Sequence, residues 1–250
     1  RTTRSKKWRP YLLSFFLLVV LGSGIGAYLA KPSLFSGLQF WKAKKTAVTT
    51  PSSSKKKEEK SDLPAVSTKD WQLILVNRDN VKPELNPQLT DVDAIKVDSR
   101  IVEPTRQFLE AARKIAPEET LISGYRSVAE QTELYNERVA QLEASGLSHE
   151  EAEKQVQTQV QVPGASEHQT GLAIDMSVEA GQSDELGLQL AAIAPQYGFV
   201  LRYPDGKSNI TGVNFENWHF RYVGVENAQY MAKHQLVLEE YIQLLKKAGK

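Results

Sequence analysis

Ser166-Glu167-His168-Gln169-Thr170-Gly171-Leu172-Ala173-Ile174-Asp175 is the stretch on which the reading of this 250-residue chain turns. It follows a Pro163-Gly164 turn and runs into Leu172–Val178, where the side chains alternate well enough for a strand. A carboxylate between Ile174 and Met176 is expensive to bury unless it is paired or metal-bound. Gly171 lets the chain bend, so that His168 on the loop converges with Asp175 on the strand. Only three other histidines exist. His149 opens a charged helix and His234 lies near the tail, both expected in solvent. His219, in Glu216-Asn217-Trp218-His219, is the one placed to join the pair.

A catalytic zinc needs three N/O ligands, an open position and a nearby base. The chain has no Cys, which excludes a disulfide scaffold, a cysteine-ligated finger and a thiol nucleophile. His168, Asp175 and His219 are then the candidate ligands, with Glu216 beside them. On a regular strand, residues three apart face opposite sides, so this grouping requires a turn or bend at Asn217. From the residues alone two readings stay open: a metal site, or a loop histidine satisfied by backbone groups and a half-buried strand histidine.

Outward from this stretch, Trp71–Asn77 reads as a strand and Ile101–Ile115 as an amphipathic helix. Thr120–Ser123 reads as a short strand leading into Gly124-Tyr125-Arg126-Ser127. Ser127 with Glu130, and Ser148 with Glu151, are capping-box pairs that open two helices, the first running to Ala144. Asp184–Tyr197 reads as a helix closed by Gly198. Phe199–Tyr203 and Trp218–Val223 read as strands, and Ala228–Leu245 as a helical tail. Helices and strands intersperse without βαβ regularity, which indicates an α+β fold: a small, mainly antiparallel sheet covered by helices on one side.

The pattern Ser166 to Asp175 followed by Glu216 to His219, with Ser123-Gly124-Tyr125-Arg126-Ser127 and Gln131 upstream, resembles the zinc D-alanyl carboxypeptidases of bacterial cell walls. These are the VanY-like D,D-carboxypeptidases and the related L,D-carboxypeptidases. The resemblance covers residues 71 to about 235. It implies that His168, Asp175 and His219 bind Zn²⁺ and that Glu216 is the general base. It implies that Arg126 stabilises the oxyanion or holds the substrate carboxylate, with Ser166, Gln131, Tyr125 and Tyr203 lining the pocket. Trp218 is expected in the core, and Arg221 either orients Glu216 or Asp175 or is exposed.

The expected activity is removal of C-terminal D-alanine from peptidoglycan stem peptides, tetrapeptides by L,D-cleavage or pentapeptides by D,D-cleavage. Analogy with tethered members of the family favours the former. An endopeptidase and a catalytically silent wall-peptide-binding module are the alternatives.

Ahead of this domain, expected over 69–250, residues 11–30 are 20 positions without a charge, enough for a helix to cross a hydrocarbon core of about 30 Å. They read as a transmembrane anchor or a signal segment after a cytoplasmic tail, 1–10. Residues 31–68 read as a disordered basic linker, rich in Lys, Ser, Thr and Pro over most of its length. Residues 1–60 hold 13 basic and 2 acidic side chains, leaving 18 basic and 28 acidic in the remainder. The domain is thus acidic, which argues against nucleic acid as a partner. Stem peptides lie outside the membrane, so the expectation is a monomeric, single-pass protein whose domain faces the wall, or a protein secreted after signal cleavage.

Overall fold

The computed structural model describes residues 62–250; the expected span 11–30 and the linker up to residue 61 lie outside the described residues. In chain order the elements are β1 (Leu89–Val92), β2 (Ile95–Asp98), α1 (Val102–Ile115), β3 (Thr120–Ser123), α2 (Val128–Ala144), α3 (His149–Val156) and β4 (Ala173–Ser177). They continue with α4 (Asp184–Ile193), β5 (Phe199–Leu201), α5 (Ser208–Thr211), β6 (His219–Tyr222), α6 (Val225–His234) and α7 (Leu238–Lys247). β1 and β2 form a hairpin, and the other four strands form an antiparallel sheet in the order β3-β4-β6-β5. The fold is α+β. Among the described residues, no helix is long and apolar enough to cross a membrane.

The two-residue period of the strands sorts the sheet into two unlike faces. Ile174 and Met176 of β4, Phe220 of β6 and Phe199 of β5 point into a core shared with Phe108, Leu109 and Ala112 of α1 and Leu190 of α4. Phe108 lies 5.3 Å from Phe199 and 5.1 Å from Phe220, ring centre to ring centre. The opposite face carries Asp175, His219 and Arg221, all buried. Val200 turns to that face and joins a second core with Leu238, Tyr241, Ile242 and Leu245 of α7 and Met231 of α6. Helices therefore cover both faces, where the sequence suggested one.

Both capping boxes are present: Ser127 with Glu130 opens α2, and Ser148 with Glu151 opens α3. Trp71–Asn77 is not a strand. It makes one tight helical turn at Trp71–Leu73 and then runs irregularly, because the carbonyls of Gln72 and Ile74 accept from the Arg221 guanidinium instead of a ladder. The helical tail is two helices, broken where Gln235 adopts a left-handed conformation (φ 53°). Residues 62–68, the end of the expected linker, lie against the domain: Leu63 and Val66 pack on the α6–α7 core, and Thr68 donates to the Lys250 carbonyl.

Glu119, just before β3, is 1% exposed, and neither of its carboxylate oxygens has a hydrogen-bond partner. Arg113 donates to its main-chain carbonyl and pairs with Asp93. Burial pushes the carboxyl up to about 7. A folded pKa above the unfolded value means that folding favours the protonated form; that contribution is complete below the unfolded pKa and is lost as pH rises through about 7. Glu119→Gln should therefore melt close to wild type near about pH 5 and increasingly above it toward about pH 8. A melting difference that is the same at both pH values would show that the carboxyl does not carry the effect.

Candidate metal centre

Antiparallel registry builds the centre of the site. Asp175 of β4 stands opposite His219 at the start of β6, and on its other side opposite Ser123 at the end of β3. His168 enters from the loop before β4, and two contacts hold it. Its Nδ1 lies 2.6 Å from the Gly124 carbonyl, and its main-chain N–H reaches the Ser166 hydroxyl. Gly171 then turns the chain with φ +66°, and an added Cβ would stand 2.7 Å from the Asp98 nitrogen. That close approach lets Asp98 N–H donate to the Gly171 carbonyl at 2.9 Å, fastening the hairpin to the loop.

His168, Asp175 and His219 each present one ligand atom, all within 4.8 Å of one another. His168 Nε2 is 3.4 Å from Asp175 Oδ2, and His219 Nδ1 is 3.0 Å from Asp175 Oδ1. Asp175 Oδ1 is buried and accepts no hydrogen bond. Two imidazole nitrogens and an unsatisfied carboxylate oxygen facing inward are the donor set of a borderline metal such as zinc. The residues fit that ion.

Glu216 Oε2 lies 3.8 Å from His219 Nδ1. The bend that this grouping requires is present as a turn at Asn217-Trp218, ahead of β6. Asn217 secures it by donating to the Gln182 carbonyl and the Asp184 carboxylate. Arg126 is fixed by Gln131 Oε1 at 2.7 Å and Ser123 Oγ at 3.2 Å. Its own N–H donates to the His168 carbonyl. The Tyr203 ring sits 5.0 Å from that of His219.

Burial and opposing charges set the protonation of the cluster. Burial pushes His168 down to about 3 and Glu216 up to about 8. Burial also opposes charge on Asp175 and His219. The two histidines and Arg126 nevertheless hold Asp175 down to about 2, and Asp175 and Glu167 bring His219 up to about 9. Arg126 is lowered by burial while Asp175, Glu130 and Glu216 favour its charge. Asp175 is thus held ionised at the centre, the form in which a carboxylate can ligate a metal.

The expected site residues are not all equivalent. Gln131 is 2% exposed and spends both ends of its amide, on Arg126 and on the Gln161 carbonyl, so it holds Arg126 in place. The Tyr125 hydroxyl is taken by Glu84, whose other oxygen accepts from Val128 N–H. Trp218 is half-buried, not a core residue. Arg221 is fully buried and pairs with Glu167, not with Glu216 or Asp175. Sequence reading gave no role to Glu167, Arg202 or Glu239. Arg202 and Arg221 did leave a signal, each a charge inside an apolar strand run; Glu239 left none.

A buried His–Asp–His trio flanked by a carboxylate and a guanidinium has the donor set and neighbours that a hydrolytic metal site requires. The VanY model, described as D-alanyl-D-alanine carboxypeptidase, matches residues 94–225. The chain is 38% identical over 177 residues to the D-alanyl-D-alanine carboxypeptidase of Enterococcus faecalis, covering 69% of this chain and 66% of that protein. It is 40% identical over 131 residues to the bifunctional dipeptidase and carboxypeptidase VanXYC of Enterococcus gallinarum, covering 48% of this chain and 64% of that one. The alignments thus span slightly less than two thirds of these relatives' lengths. Among solved structures, a mutant of the vancomycin resistance D,D-pentapeptidase VanY in complex with Zn(II) aligns with TM-score 0.65 and 38% identity, over 69% of this chain and 99% of that one. The LD-carboxypeptidase LdcB aligns with TM-score 0.58 and 30% identity, over 68% and 84%. The chain belongs to the VanY family.

Gly187 on α4 provides a test of how the turn is held. An added Cβ would stand 2.5 Å from the Asn217 carbonyl oxygen and 2.6 Å from its Cβ. Glycine to alanine inside a helix ordinarily stabilises by about 0.5–1 kcal/mol. Here the clash should reverse the sign, and Gly187→Ala is expected to destabilise by about 1–3 kcal/mol. Denaturant unfolding reads the sign directly, and a gain in stability would refute the close packing of α4 on the turn.

Proposed function

We propose that this domain is a zinc carboxypeptidase that releases C-terminal D-alanine from peptidoglycan stem peptides. The observation that carries the proposal is the convergence of His168, Asp175 and His219 with Glu216 3.8 Å from His219. Zinc held by the three would supply a Lewis acid and a bound water acidic enough to ionise near neutral pH. Glu216, raised by burial, would be favoured in its ionised form by a dication held there. Glu216 then accepts the proton of the attacking water and passes it to the leaving amine. Arg126, locked by Gln131 and Ser123, offers its fork to an anionic oxygen of the substrate or of the tetrahedral intermediate. Ser166 and Tyr203 complete the walls.

Higher identity and fuller coverage with the D,D-pentapeptidase than with the LD-carboxypeptidase support pentapeptides as the preferred substrate. Mass spectrometry of penta- and tetrapeptide muropeptides incubated with the protein should show D-alanine release from the pentapeptide, abolished by EDTA and restored by zinc. Glu216→Gln should keep its zinc and lose about 10²–10⁴-fold in kcat. Undiminished turnover in that variant would remove Glu216 from the role of base.

The reading extends to the chain ahead of the domain. Residues 11–30 serve as a membrane anchor, 1–10 remain in the cytoplasm, and the basic stretch that follows carries a monomeric domain toward the wall. The uncharged run of 20 residues and a substrate found outside the membrane support this. Protease added to intact protoplasts should release the catalytic domain; full protection until lysis would place it on the wrong side.

A further inference from the structure

Glu167 precedes the first candidate ligand and is fully buried, yet the chemistry described so far gives it no part. Its two oxygens are used very unequally. Oε1 accepts from Arg202 Nε and from Arg221 Nη1, each at 2.8 Å. Oε2 is buried and accepts nothing. It lies 3.8 Å from His219 Nε2, which is also buried and also without a partner. Two orphaned polar atoms, one able to donate and the other able only to accept, thus face each other inside the protein. A movement of about 0.8 Å would bring them to ordinary hydrogen-bond length.

The neighbours explain why the second oxygen stays free. A guanidinium and a carboxylate usually pair fork to fork, using both oxygens. Arg202 already presents its fork, Nη1 and Nη2, to Glu239 at 2.9 and 2.6 Å, and has only Nε left for Glu167. Glu239 is held in turn by Asn77 at 3.0 Å. Arg221 spends Nη2 on the carbonyls of Gln72 and Ile74 and likewise reaches Glu167 with one nitrogen. His219 and Arg221 are two apart on β6 and so share a face, which brings both to the same carboxylate. The four charges cancel within the cluster, so it needs no proton on His219 for neutrality.

We propose that Glu167 is a positioning residue: its free Oε2 accepts the Nε2–H of His219, which fixes the ring so that Nδ1 faces Asp175 and the metal. The inference rests on the reading of His168, Asp175 and His219 as a metal centre. Buried carboxylates that orient ligating histidines commonly contribute about 10–100-fold in metal affinity. Glu167 is not itself a fourth ligand, because it approaches His219 from the nitrogen opposite to the one that faces Asp175.

The decisive measurement uses the unaltered full-length protein loaded with zinc alone. ¹⁵N–¹H correlation of the four imidazoles, assigned with the His149→Gln and His234→Gln variants, should show His219 protonated at Nε2, slow to exchange, and metal-bound through Nδ1. A proton on Nδ1 with zinc on Nε2 would overturn the proposal without touching the metal centre. Failure of the protein to take up zinc, or uptake unaffected by His168→Ala, would instead overturn the metal centre and this inference with it. Glu167→Gln supplies the second readout. It should weaken zinc binding, measured by competition with a chromophoric chelator, about 10–100-fold and shift the Nε2–H resonance. Unchanged affinity with an unchanged resonance in a folded variant would show that Glu167 only balances the two arginines.

Discussion

Two guanidinium groups lie wholly out of water on the inner face of the sheet, and much of the domain is arranged around making that tolerable. Removing an ion from water costs several kcal/mol, and leaving one partner of a buried pair unmatched costs about 3–5 kcal/mol. Arg202 and Arg221 are matched by Glu167 and Glu239. Those partners come from a loop ahead of β4 and from α7, while main-chain carbonyls of residues 72 and 74 complete the shell of Arg221. Segments far apart in sequence must therefore be in place together for the charges to be satisfied. The requirement is cooperative, because each charge is satisfied only when the segments that carry its partners are all in place.

The sheet separates the two kinds of packing. One face is a continuous apolar layer with stacked and edge-on rings between α1, β5 and β6. The other holds the candidate metal-binding trio and the ion cluster. Alternation along β4 and β6 assigns each residue to its face, so Ile174 and Phe220 anchor the strands while Asp175 and His219 work on the opposite side. A rigid apolar face is what allows the polar face to be held to the fraction of an ångström that ligand geometry demands.

Much of this was legible in the sequence, and the rest was not for identifiable reasons. The capping boxes at Ser127 and Ser148, the strand through Asp175 and the required bend at Asn217 rest on local chemistry, which a linear reading can see. Trp71–Asn77 reads as a strand because its apolar, β-branched composition says nothing of Arg221, 149 residues beyond Gln72, which takes its carbonyls. The hairpin of β1 and β2 is not legible because its strands are short and interrupted by Asp91, Lys96 and Asp98. The three candidate ligands were readable because their residue types are rare in such settings. Glu167 sat inside the quoted motif with no role, since its meaning lies wholly in Arg202, Arg221 and Glu239, which only the fold brings to it.

The order of the three motifs along the chain also has a physical reading. Ser123 at the start of the first is paired across β3 and β4 with Asp175 of the second, and Arg126 N–H donates to the carbonyl of His168. Asp175 pairs across β4 and β6 with His219 of the third. Each motif is thus a direct main-chain neighbour of the next, with β4 in the middle. The candidate ligands and the arginine are positioned by ladder and loop hydrogen bonds whose register cannot slip by one residue without turning Asp175 into the apolar core. A metal site assembled from independent loops would lack that protection. Here the cost of burying a carboxylate on the wrong face of β4 enforces the register on which coordination depends.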